Sequence, residues 1–176
     1  GYPDCQDCFD TSQLTSVLES SGATIKSQNT VNYPSQEANS LISQYNITKI
    51  PTMMIKGNFK DNAQLLQALQ QIGNITNDVA VITFVQPPYL DLLQNKVVGR
   101  VSLIAIQDPS CTQCTNATLV ISQLQLAGVS VSSQQVLESS STQGQQLIQK
   151  YSINNLPTFI FSSDLGAYES IVSAWD

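Results

Sequence analysis

Shifted along itself by 106 residues, the chain meets its own pattern without a gap: Cys5 falls on Cys111, Cys8 on Cys114, Gly22 on Gly128 and Pro51 on Pro157. Between 4–57 and 110–163 there are 14 identities in 54 positions. Leu14 with Val120, Ile25 with Val131 and Ile50 with Leu156 are conservative exchanges. The closest match is YNITKIPTMMI, 45–55, against YSINNLPTFIF, 151–161. A pattern that returns in register over this length marks two copies of one folding unit. The 176 residues are enough for two small cores. The expected units are therefore 1–76 and 77–176.

Each copy reads locally as alternating helix and strand. After the first cysteine pair, Leu14, Val17, Leu18 and Ser21 share a helical face that Gly22 closes. Residues 23–31 alternate as a strand does, and Ala38, Leu41, Ile42 and Tyr45 follow amphipathic helical spacing. PTMMI and PTFIF have the length and apolarity of buried strands. A further helix is expected over 62–72, ended by Gly73. Upstream of the second pair, GRVSLIAIQD predicts a buried strand leading into Cys111, and DVAVITFV another ahead of a short helix at 88–94. This order predicts an α/β fold with a mixed central sheet flanked by helices.

Composition narrows the partners. Lys and Arg number 7 against 13 Asp and Glu, with no histidine, and phosphate binding needs clustered positive charge. Nucleic acid is excluded on that ground. Ser, Thr, Asn and Gln supply 68 residues, so neutral polar groups keep the surface wet, which suits an exposed environment. No apolar run approaches the roughly 18 to 20 residues that span a bilayer, and no signal peptide is visible at GYPDC. Asn-x-Thr sequons at Asn46, Asn74 and Asn116 occur about as often as so Ser/Thr-rich a chain gives by chance.

An apolar strand, then C-x-x-C opening a helix, then some 40 residues later an apolar-Pro-Thr string starting a strand, resembles the thioredoxin family. ISQYNITKIPTMMIKG and IQKYSINNLPTFIFSS are its more specific part. Two such units in one chain resemble the archaeal protein disulfide oxidoreductases and the protein disulfide isomerases. The resemblance implies tandem thioredoxin-like units, cis bonds at Ile50-Pro51 and Leu156-Pro157, and redox-active cysteine pairs packed against those prolines. Cys5 or Cys111 would attack a substrate disulfide, and Cys8 or Cys114 would resolve the mixed disulfide. Placement at a helix start would favour the thiolate through free amides and the helix dipole. Ile50 and Pro51, or Leu156 and Pro157, would hold an extended substrate by strand addition. The partners implied are protein thiols and disulfides, with a membrane or soluble redox partner; no cofactor and no metal are called for.

The two sites differ in charge. Asp4, Asp7 and Asp10 surround the first pair, and a carboxylate beside a thiolate opposes its formation. Thr112 and Gln113 separate the second pair, with Asp108 the nearest acid, so Cys111 is expected to be the more reactive thiol. Neither site carries the tryptophan that often precedes the family motif. Tyr45 and Tyr151 read as core residues with the hydroxyl at the edge, and Met53, Met54, Phe159 and Phe161 as core.

Three readings stand at this point. One is a thiol-disulfide oxidoreductase acting outside the cytoplasm, secreted or as a membrane-anchored ectodomain. Another is a non-catalytic thioredoxin-like binding or scaffold module of a surface protein with structural disulfides. The third is an electron relay between the sites toward a peroxidase or membrane partner. The resemblance also calls for a strand ahead of Cys5 and a helix after YESIVSAWD, so the natural chain is expected to continue at both ends.

Overall fold

The computed structural model describes residues 1–59 and 61–174. The fold is α/β and divides into two compact units, Gly1–Val98 and Gly99–Asp176. Residues 77–98, expected in the second unit, pair instead with strands of the first.

Unit 1 opens on the cysteine turn and runs through helices α1 (Ser12–Ser20) and α2 (Gln36–Tyr45) to the short strands β1 (Lys49–Ile50) and β2 (Met54–Lys56). Helix α3 (Ala63–Ile72), β3 (Gly73–Thr76), β4 (Val79–Ile82), β5 (Tyr89–Asp91) and β6 (Lys96–Val98) follow. Two antiparallel sheets result, in the orders β2-β4-β3 and β1-β5-β6. Four consecutive buried residues in VAVI place β4 at the centre of its sheet. Leu18, Phe59, Leu65, Leu69, Ala80 and Ile82 form the core beneath it. The helix expected at 88–94 is a hairpin. Asp91 Oδ1 accepts from the amides of Leu93 and Gln94, and this local bond competes with helical pairing. Asn95, at φ 50°, turns the chain back into β6.

Unit 2 carries a mixed sheet. Strand β7 (Arg100–Gln107) leads through the second cysteine turn to α4 (Ala117–Leu126), and β8 (Ser130–Glu138) returns parallel to β7. After α5 (Thr142–Lys150), β9 (Thr158–Phe161) pairs antiparallel on the other side of β7, in the order β8-β7-β9. A 3-10 turn at Ser163–Ala167 and the short α6 (Glu169–Val172) come last. Val101, Leu103 and Ala105 are buried against Ala117, Ile121 and Leu124 of α4, and Ile106 is buried as well, while Ser102 is exposed. The expected mixed sheet is thus the architecture of unit 2 alone.

The same local chemistry starts equivalent helices in both units. Ser35 Oγ accepts from Ala38 N–H at 3.1 Å ahead of α2, and Ser141 Oγ accepts from Gly144 N–H at 3.0 Å ahead of α5. Gly22 and Gly128, with φ of +84° and +88°, close α1 and α4 in the left-handed region. One expected strand differs: among the described residues 23–31 has no strand partner, whereas its equivalent is β8. Extended backbone becomes a ladder only beside another edge, and β7 supplies that edge in unit 2.

Tyr45 is half-buried, but Tyr151 is 51% exposed, contrary to a core role, and Lys150 Nζ lies 5.0 Å from its ring. Met53, Met54, Phe159 and Phe161 are partly buried; Met53 packs on the unit 1 core, and Phe159 and Phe161 on the unit 2 core. A residue without sequence signal holds unit 2 together. The buried Tyr168 hydroxyl donates to Gly99 O at 2.7 Å and accepts from Ser130 N–H at 2.8 Å. Tyr168→Phe removes both hydrogen bonds, and is expected to lower unfolding stability by about 1–3 kcal/mol in urea titration.

Candidate functional site

Each cysteine pair sits on a turn with the same backbone bonds. Cys5 N–H donates to Tyr2 O and Cys111 N–H to Asp108 O, both at 3.2 Å. Cys8 N–H reaches Cys5 O and Cys114 N–H reaches Cys111 O, both at 3.4 Å. Both pairs are disulfides, Cys5–Cys8 and Cys111–Cys114, with Cα separations of 5.3 and 5.5 Å.

The turns precede the helices instead of opening them. α4 starts only at Ala117, because Asn116 Oδ1 takes the amide of Thr118 at 2.8 Å and acts as its N-cap. Ahead of α1, Asp10 Oδ1 accepts from Ser12 N–H at 2.9 Å. The expected help from the helix dipole falls off within a turn, so local contacts at the sulfurs set their reactivity.

In unit 2 the turn meets the second half of the repeat. Cys114 Sγ lies 3.8 Å from Leu156 O, which joins the cysteine turn to the start of LPTFIF across 42 residues of sequence. Leu156 and Pro157 are half-buried and precede β9, and Cys111 and Cys114 are half-buried as well. The Ile50–Pro51 and Leu156–Pro157 bonds are cis, as are Tyr33–Pro34 and Pro87–Pro88.

Unit 1 is arranged differently. Cys5 is only 6% exposed while Cys8 is half-buried, so the first cysteine is not the accessible one expected there. Phe9 N–H donates to Pro88 O at 2.9 Å and draws the turn against the chain entering β5. Ile50, expected to offer its backbone to a substrate strand, is buried and paired with Leu90 in the β1–β5 ladder. That edge is taken by the chain itself. The YLD segment that covers it lies within the helix expected at 88–94, and its hairpin signal is Asp91 followed by Asn95.

Electrostatics separate the sites further. Asp7 Oδ1 stands 3.4 Å from Cys5 Sγ, so reduction of this pair would set a carboxylate against a nascent thiolate. Asp7→Asn is expected to raise the alkylation rate of the reduced first pair by about 3- to 10-fold, the equivalent of roughly one pKa unit or less. Peptide-resolved iodoacetamide labelling measures it.

Two aspartates beside the turns have carboxyls held below the ordinary value of 3.8, Asp10 by the Ser12 amide and then its hydroxyl, Asp108 by the Ser110 hydroxyl and then its amide. A carboxylate with a lowered folded pKa stabilises above its unfolded pKa and loses that contribution as pH falls through the folded value. Thermal midpoints should therefore fall on acidification below 3.8. The fall should be shallower in the double variant Asp10→Asn, Asp108→Asn.

Among the described residues no three of His, Cys, Asp and Glu gather as metal ligands would, and no helix is long and apolar enough to cross a membrane. No protein-family model, no curated protein and no solved structure matches the chain.

Proposed function

We propose that the chain is a thiol-disulfide oxidoreductase of tandem thioredoxin-like units, acting on protein thiols outside the cytoplasm, with Cys111–Cys114 as its principal active pair. The contact of Cys114 Sγ with Leu156 O at 3.8 Å carries this reading, because it joins the two repeated motifs into one site. The strand, cysteine turn, helix, parallel strand, helix and antiparallel strand of unit 2 support the family resemblance. Two disulfides support an oxidising compartment.

Starting from the disulfide, a substrate thiolate attacks Cys111 Sγ. The Cys111–Cys114 bond breaks, a substrate–Cys111 bond forms, and Cys114 leaves as the thiolate, which takes a proton from water. A second substrate thiolate then attacks the substrate sulfur of the mixed disulfide and releases Cys111. Two electrons pass from the substrate dithiol to the pair. Run backwards, the same steps reduce a substrate disulfide. Leu156 and Pro157, outside any strand, leave a backbone edge beside the sulfurs for an extended substrate segment.

For unit 1 the buried Cys5 and the occupied backbone of Ile50 favour a second reading, a structural disulfide in a binding module. Turnover of a model protein disulfide with glutathione as reductant separates the readings. Loss in Cys111→Ser with retention in Cys5→Ser supports the assignment to unit 2. Loss in both supports a relay, and no turnover in the natural chain refutes an oxidoreductase.

A further inference from the structure

Strand β8 borders β7 on one side only, in the order β8-β7-β9, and runs for nine residues. The other sheet edges among the described residues, β1, β2, β3, β6 and β9, are two to four residues long. Lys49, Lys56 and Lys96 stand on three of these and Pro157 precedes a fourth. Shortness, lysine and proline all keep an edge from pairing with another chain. β8 has none of them: SVSSQQVL, 130–137, holds no charge and no proline, and 132–136 are exposed.

Hydrogen-bond parity shows what this edge offers. Ser139 N–H donates to Gln107 O at 2.8 Å, so by alternation Leu137, Gln135 and Ser133 turn their backbone groups to β7. Gln134 and Val136 turn theirs outward. Glu138 O, the next outward group, already accepts from Ser141 N–H at 3.1 Å. In the other direction the ladder shifts register, with Ser132 as the extra residue of a bulge whose hydroxyl donates to Val101 O at 3.2 Å. The open stretch is therefore centred on Gln135.

We propose that β8 is a self-association edge, on which a second copy of the chain pairs antiparallel about a two-fold axis at Gln135. Gln134 then stands opposite Val136 of the second copy, and Val136 opposite its Gln134. Each of these pairs exchanges two backbone hydrogen bonds, which satisfies every outward group of both residues. Glu138 stands opposite the neutral Ser132 of the second copy, so no like charges meet. The two Val136 side chains, 41% exposed in the single chain, lie on one face of the sheet and meet diagonally across the axis. An axis at Gln134 would bring in the bulge, and one at Val136 the occupied carbonyl of Glu138, so both are disfavoured. The pairing uses the same edge of both copies and closes at a dimer, with one continuous sheet in the order β9-β7-β8-β8-β7-β9. It stands whether or not either disulfide turns over.

Sedimentation equilibrium and amide hydrogen exchange on the full chain test this. The mass is expected to rise toward twice that of the monomer at about 0.1–1 mM chain, the range in which so small an interface associates. Over the same range exchange at Gln134 and Val136 should slow by about 10-fold, while Ser133, Gln135 and Leu137, already bonded to β7, change by less than about 2-fold. Gln134→Pro removes an N–H that β7 does not use, and Val136→Lys sets two ammonium groups beside the axis. Both variants should remain monomers, and if one fails to fold the other decides. The proposal is overturned if the natural chain stays monomeric throughout, or if a folded variant associates as strongly as the natural chain. It is overturned too if an unrelated extended peptide protects Gln134 and Val136 where a second copy does not.

Discussion

Replacing Cys111 with serine is expected to cut turnover of a protein disulfide by at least about 100-fold, while Cys5→Ser changes it by less than about 3-fold. A serine hydroxyl cannot form the mixed disulfide, and removal of a nucleophile typically costs two or more decades of rate. The asymmetry rests on geometry: Cys111 is only half-buried and its partner sulfur lies 3.8 Å from Leu156 O. Cys5 is buried, with Asp7 Oδ1 at 3.4 Å. Cys111→Ser frees the thiol of Cys114, so the double variant Cys111→Ser, Cys114→Ser is the cleaner measurement. Both variants should lose turnover alike. Equal rates for natural chain, Cys111→Ser and Cys5→Ser would rule out catalysis at either pair.

Truncating Ile106 to alanine is expected to destabilise unit 2 by about 2–5 kcal/mol. Ile106 is fully buried at the end of β7, paired with Leu137 on one side and Thr158 on the other. Its removal opens a void on the face of the sheet at the strand that leads to Cys111. Differential scanning calorimetry should show a midpoint lowered by more than about 8 °C, given the small entropy of unfolding of a unit of this size. Ile106→Val removes one methylene and should cost only about 0.5–1.5 kcal/mol. A graded response of this kind separates packing from loss of chemistry, because turnover per folded molecule stays constant.

Periodic features were legible in the chain. The spacing of Leu41, Ile42 and Tyr45 marked α2, the apolar run at 101–106 marked β7, and the helix expected over 62–72 is α3, Ala63–Ile72. Short, two-sided signals were not. PPYLDLLQN fits a helix by apolar spacing and a hairpin by its Asp91 and Asn95, and pairing with Lys49–Ile50 decides for the hairpin. The same pairing buries the Ile50 backbone, so an edge that looks equivalent to Leu156 in the repeat is closed to a substrate. Identity at 14 of 54 positions does not carry such long-range contacts.

The sequence by itself determined that its pattern returns at an offset of 106, which residue types stand 43 positions apart in each copy, and that uncharged groups supply most of its polar side chains, with no histidine. These follow from order and composition, which are local properties. Only the tertiary structure decided that Cys114 meets Leu156, that Cys5 is buried, and that 77–98 pairs with the first unit. Those outcomes depend on which strand edge lies beside which. A hydrogen-bonding edge is the same backbone in every sequence, so the choice of partner is made by packing across the sheet and by what is present to pair.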